Sequence, residues 1–308
     1  MDTVSASLGV CAVSRSVSVQ PTLLCSRSPS NPHCKACIQG HKLDGEPRGT
    51  MKELGGLHYY FAEGDRTQKD KAIVLGHDLF GLGLPNPKLV ADWLAEHTGM
   101  ATYVPDLMEG DYIDTSHIPP QRQKLFDEPL KGKSLFQRAR FFAAQFWTFF
   151  SIIGPRYLLR HSVAHALDLT QKFCKDLREQ KGHSRLGFVG YCYGGAVAVH
   201  LAGTPGSLKP VDAVVAFHPA PVAAGDFAKI AVPFMLSCAG EDIFFDSIKP
   251  AALDALGALP PAVPTEVHDD AHGTVHGYGV RPDLQAPEVR EAFERGRERT
   301  AHFFARYL

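Results

Sequence analysis

No block of like charge interrupts this chain, and 32 Lys and Arg against 33 Asp and Glu leave a formal net charge of −1. That balance offers nothing to nucleic acid or to an anionic membrane surface. Long hydrophobic runs are also missing. The longest, FFAAQFWTFFSIIG at 141–154, falls short of the ~20 residues a helix needs to cross a bilayer. A basic start leading into a sustained apolar segment is lacking too, so a secretory signal is not expected. Cysteine is sparse and odd in number, seven in 308 residues, which fits a reducing compartment better than a disulfide framework. No internal repeat is visible. What these absences leave is a soluble globular protein, 44% hydrophobic and long enough to bury a sizeable core.

Acidic residues are absent between Asp2 and Asp44, where the chain is rich in Ser, Val, Pro and Cys and carries Arg15 and Arg27. Residues 1–45 therefore read as a flexible tail, with a cytoplasmic protein behind it, or alternatively as a mitochondrial transit peptide. Within them, His33, Cys34, Cys37 and His41 have metal-like spacing. A structural zinc needs its ligands on an ordered turn, with a second pair nearby, and none is in sight. No metal is expected.

From Leu57 onward, compact apolar runs alternate with helical periods. AIVLGH (72–77), ATYV (101–104), RLGFVG (185–190), AVVAFH (213–218) and PFMLSC (233–238) read as strands buried on both faces. Val163, Leu167, Thr170, Cys174 and Leu177 step at helical spacing, as do apolar residues through the last twenty positions. Such alternation implies βαβ crossovers and a three-layer α/β domain over about 50–308. Residues 110–160 break the pattern with a Pro-rich polar stretch and an aromatic run at 141–150. They suit a short helical cap over a pocket, or an ordinary helix on the sheet.

Chemistry concentrates in LGFVGYCYGG, 186–195. A strand climbs into a glycine-framed turn and a small-residue helix follows, as in the nucleophile elbow of an α/β-hydrolase, with Cys192 in the serine's place. The central residue of such a turn projects beside a helix N-terminus, where partial positive charge favours a thiolate. The N–H of Tyr193 would lie where an oxyanion develops. A thiol needs a base and the base an orienting acid, and in this fold both follow the nucleophile in the order acid, then histidine. Asp242 ends the strand–turn PFMLSCAGED, with Glu241 and Asp246 as neighbours; His276 and His272 lie in Gly-containing loops beyond it. Spacing alone does not separate the two histidines.

Taken together, AIVLGHDLFGL, TYVPDLMEGD, LGFVGYCYGG, SCAGEDIFF and VHGYGVRP before a long terminal helix resemble the dienelactone hydrolase family (carboxymethylenebutenolidase-like enzymes). The resemblance implies an α/β-hydrolase fold with Cys192 as nucleophile, Asp242 as acid and His276 as base. It also implies a thiol-modulating acid at Asp78, a second oxyanion donor at the N–H of Leu79, and no cofactor. The family's prototypes hold a substrate carboxylate with two arginines. One of these positions falls in PDLMEG, which has no arginine, and the other near Arg281. Tyr191, Tyr193 and the 141–150 aromatics suit a larger or less charged ester. The expected activity is hydrolysis of a small lactone or activated enol ester by a monomer or homodimer. A carboxylesterase for bulkier neutral esters and a non-catalytic, redox-sensing binding protein are the alternatives.

Overall fold

Eight strands form one sheet in the order β1-β2-β4-β3-β5-β6-β7-β8. They are β1 (Thr50–Leu54), β2 (Leu57–Ala62), β3 (Lys71–Gly76), β4 (Ala101–Pro105), β5 (Arg185–Tyr191), β6 (Ala213–Phe217), β7 (Phe234–Ser237) and β8 (Thr265–His268). This computed structural model describes residues 42–112, 160–204 and 209–308, with positions 134, 136, 137 and 140 between them. All of these belong to the unit Lys35–Leu308. The tail to residue 41, with the His33–His41 group, lies outside the described residues, as do most of the stretch read as a cap and the whole 141–150 aromatic run.

From β4 through β8 the pairings are parallel. The exception is the β1–β2 hairpin, which joins the sheet antiparallel at β4. Its turn, Gly55–Gly56, has positive φ at both residues, a conformation that glycine enters without steric cost. The five strands expected from apolar runs are all present within a residue or so.

Alternation along β3 shows why both faces of the sheet are covered. Ala72 and Val74 join one core, Ile73 and Leu75 the other, and all four are fully buried. Helices α1 (Asn86–Thr98) and, at the C-terminus, Pro287–Tyr307 supply the second core; Val163–Lys181 and Tyr193–Ala202 supply the first. We number those last three, in chain order, α2 (163–181), α3 (193–202) and α4 (287–307). Helix α2 is capped by Ser162, whose hydroxyl accepts from the His165 N–H, and it ends on left-handed Gly182. Each core side chain the size of leucine or phenylalanine contributes about 1.5–3 kcal/mol by leaving water. The sheet is thereby held rigid, and the loops at its C-terminal edge have a fixed base.

Described residues that precede and follow 113–159 meet. His161 Nε2 lies 3.0 Å from Asp111 Oδ2, and His165 Nε2 lies 2.9 Å from Glu109 Oε2. Among the described residues, no helix is long and apolar enough to cross a membrane.

Candidate active site

Four loops leave the C-terminal ends of β3, β5, β7 and β8 and converge, at the edge where open α/β sheets place their ligands. The elbow comes from β5. Cys192 caps α3 with φ 53° and ψ −111°, outside the ordinary regions for a side chain with a Cβ. Such strain costs on the order of 1–3 kcal/mol and persists only where the surroundings enforce it. Here they do. The Cys192 N–H donates to Phe217 O at 3.1 Å, and Cys192 O accepts from the N–H groups of Ala196 and Ala220. Gly190 and Gly194 are required by proximity: a Cβ on the first would overlap the Gly194 carbonyl, and one on the second the Gly76 carbonyl. The Gly194 N–H donates to His77 O, locking the helix start to the end of β3.

Three described cysteines carry free thiols, and only Cys192 is not buried. Burial pushes the thiols of Cys174 and Cys238 up to about 12, so they remain protonated and inert. Exposure thus separates the elbow thiol from its structural counterparts.

The acid comes from the turn after β7. Asp242 is almost fully buried, and its Oδ1 accepts from the N–H groups of Phe244 and Phe245 at 3.0 and 3.2 Å. The Asp242 N–H is held in turn by Asp246 Oδ2 at 2.9 Å. Burial opposes its charge, but the adjacent His276 and these donors outweigh burial and hold the carboxyl below its ordinary value. A one-residue bridge between Glu241 and Val275 ties this turn to the loop after β8.

That loop delivers His276. Its Nδ1 lies 2.9 Å from both carboxylate oxygens of Asp242, which leaves Nε2 as the working atom. Burial disfavours charge on this ring; Cys192 and Asp242 together override it and push the imidazole up to about 10. Nε2 is buried and makes no hydrogen bond of full geometry. A catalytic bond of this kind tightens when substrate arrives. His272, inseparable from His276 by spacing, is exposed; the structure brings His276 to Asp242 instead.

Asp78 and Leu79 follow β3. Asp78 is buried, and its Oδ2 accepts from Arg281 Nε at 2.8 Å while Oδ1 accepts from the Phe80 N–H. The Arg281 guanidinium also lies 4.3 Å from the Phe80 ring centroid. Two residues expected to act separately, one on the thiol and one on substrate, are an ion pair. Tyr193 stands at the first position of α3, and its hydroxyl donates to Ser162 O at 3.1 Å.

Tyr191 is not brought to the site. It is 1% exposed and stacks on Phe217 at 5.0 Å, in the core beneath α1 and α4. The reason is strand parity. Side chains alternate along β5, so Val189 and Tyr191 share the face opposite Leu186 and Phe188. The substrate contact expected of Tyr191 is not made there, because its ring faces the core.

Sequence reasoning missed His218, which follows β6, and Phe244, which follows Asp242. Their rings lie 4.9 and 4.8 Å from that of His276, both edge-to-face. A histidine ending an apolar strand at this sheet edge was the available signal for the first. Among the described residues no three His, Cys, Asp or Glu side chains converge as a metal site.

Comparison with known proteins gives the family and the fold. The chain matches the model of the dienelactone hydrolase family over residues 57–308. It is 27% identical to the hydrolase pyvD of Aspergillus violaceofuscus over 280 residues, covering 91% of this chain and 98% of that one. With the hydrolase tropI of Talaromyces stipitatus it shares 24% identity over 281 residues, at the same coverage. The crystal structure of dienelactone hydrolase from Anabaena variabilis superposes with a TM-score of 0.55 at 16% identity, covering 85% of this chain and 98% of that one. At that identity the likeness concerns the fold.

Proposed function

The chain belongs to the dienelactone hydrolase family, and from that premise we propose that it hydrolyses a lactone or activated ester through a thioester on Cys192. The observation that carries the reading is the largely buried His276, bonded through Nδ1 to Asp242 and raised by Cys192 and Asp242 together.

An imidazole raised to about 10 holds its proton at neutral pH, and the attacking form of Cys192 is the thiolate beside it. The Cys192 sulfur attacks the substrate carbonyl, and the carbonyl π electrons move to oxygen. The N–H groups of Tyr193 and Leu79 are the donors for that oxyanion. On collapse the C–O bond breaks, and the leaving oxygen takes the proton from His276 Nε2. Neutral His276 then removes a proton from water, and hydroxide adds to the thioester. Collapse expels the thiolate beside a re-protonated imidazolium. Asp242 keeps its charge throughout, orienting the ring and stabilising its cationic form.

Thiolates leave readily from tetrahedral intermediates, so forward reaction requires a leaving group at least as good, such as an enolate. Amides are poor substrates on that ground. The Asp78–Arg281 pair bears on substrate charge. An arginine already neutralised by a buried carboxylate attracts a substrate carboxylate weakly, which favours a neutral ester over an acidic lactone.

Rates on dienelactone and on p-nitrophenyl acetate, for wild type and Cys192→Ala, test the reading. Loss of turnover on both substrates in the variant, with folding intact, is expected. Undiminished turnover would discard the thioester, and a wild type inactive on every ester would favour a binding protein.

A further inference from the structure

We infer that His218 is a positioning residue, pinning the loop that carries the base to the strand end that grips the nucleophile. The inference rests on the reading of Cys192 and His276 as nucleophile and base.

Residues 217–220 hold Cys192 by its backbone on both sides. Phe217 O accepts from the Cys192 N–H at 3.1 Å, and the Ala220 N–H donates to Cys192 O at 3.1 Å. Between these two contacts stands His218, fully buried, with φ 36°. Its own N–H donates to Ser237 O at 3.0 Å, at the end of β7. Its ring crosses to the other half of the site. Nε2 accepts from the Gly279 N–H at 3.2 Å, and the ring face or edge meets His276 at 4.9 Å and Tyr278 at 5.6 Å. One residue therefore joins three things: the backbone under the nucleophile, the strand that leads to Asp242, and the loop of His276.

The bond from Gly279 fixes the tautomer. Nε2 is the acceptor, so the ring proton resides on Nδ1 and the ring is neutral. Of the charged groups facing it, His276 and Arg281 disfavour a second positive charge and Asp242 favours one without prevailing; Tyr278 and Tyr191 close the rest of its surroundings. Burial, and then the charge expected on His276, hold the ring well below its ordinary value. A second imidazolium 4.9 Å from the first would repel it. A positive φ in a buried non-glycine residue is strain kept for a reason, and Cys192 carries the same signature on the facing strand end.

A packing role and a positioning role differ in what they do to the thiol. If His218 sets the register between His276 and Cys192, releasing it weakens the imidazolium's hold on the thiolate. The test is the pH dependence of Cys192 alkylation by iodoacetamide, followed on the Cys192 peptide by mass spectrometry, alongside kcat and KM for p-nitrophenyl acetate. Three variants are compared. His218→Gln places an amide oxygen near the Nε2 position; His218→Asn places it a bond short; His218→Phe fills the space without an acceptor.

In the Asn and Phe variants the alkylation midpoint is expected to move up from its wild-type position by about one unit or more. A roughly tenfold or larger fall in kcat with little change in KM should accompany it. The Gln variant should recover most of both. Folded Asn or Phe variants with a wild-type alkylation profile would overturn the inference. So would Asn and Phe variants that both fail to fold while Gln folds, since that assigns His218 to stability. A wild type without turnover on p-nitrophenyl acetate or any other ester would instead remove the catalytic reading itself.

Discussion

Arg281 Nε lies 2.8 Å from Asp78 Oδ2 across 203 residues of sequence, and both side chains are largely buried. A pair of this kind is expensive to break from one side, because the remaining charge is stranded away from water.

Removing the carboxylate's charge should therefore change what Arg281 does. In Asp78→Asn the guanidinium becomes an attractive site for an anion. The ratio of kcat/KM for a carboxylate-bearing ester to that for its neutral methyl ester should rise about tenfold, or ~1.4 kcal/mol. Paired assays on the two esters check this, and an unchanged ratio would show that Arg281 does not approach the substrate.

Asp242→Asn retains shape and loses charge. The amide can donate to His276 Nδ1 and so select the wrong tautomer, and a kcat loss on the order of 10²–10⁴ is expected. Thermal unfolding should change little beside that loss, and steady-state rates with a melting curve on the same sample measure both.

The proton on His276 also contributes to stability. Its value is about 10 when folded and ~6.5 when unfolded. A raised value binds the proton more tightly in the native state, so the contribution is full below pH ~6.5 and fades as pH rises through about 10. Wild type should exceed His276→Gln in melting temperature by a margin that shrinks from pH 6.5 to pH 10. A margin that grows over this interval would mean that the imidazole is neutral at rest.

Gly194→Ala forces a Cβ into the Gly76 carbonyl, where backbone rather than a flexible side chain must give way. Overpacking of that kind costs about 3 kcal/mol, or roughly 6–12 °C in melting temperature for a domain of this size. Gly225→Ala, where a Cβ meets nothing within 4 Å, is the control and should leave the melting temperature nearly unchanged. Differential scanning calorimetry compares the two.

Much of the fold was legible because strands covered on both faces are continuous apolar runs; β3, β5, β6 and β7 announced themselves in that way. The β1–β2 hairpin did not. At the sheet edge β1 is largely exposed, so Met51, Lys52 and Glu53 carry little apolar signal. The elbow was legible for a different reason: three glycines around one cysteine reflect crowding that only glycine tolerates. Spacing alone leaves His276 and His272 equal, and only the family resemblance separates them, because the loop is set by a bridge between Glu241 and Val275, a long-range pairing that no local pattern encodes. His218 escaped notice as the tail of an apolar strand. Tyr191 stands next to Cys192 in the chain, but alternation along β5 turns its ring into the core under α1 and α4.

The crowding around Cys192 has a consequence for how such a protein can change over generations. Glycines 190 and 194 have almost no freedom to drift, since any side chain there collides with main chain. The side chain they frame is under no such constraint: Cys192 is only partly buried, its backbone is fixed by three main-chain bonds, and an oxygen could replace its sulfur without moving any of them. The mould is invariant and the reagent is exchangeable, so a single codon could trade thiol chemistry for hydroxyl chemistry while the scaffold stays as it is.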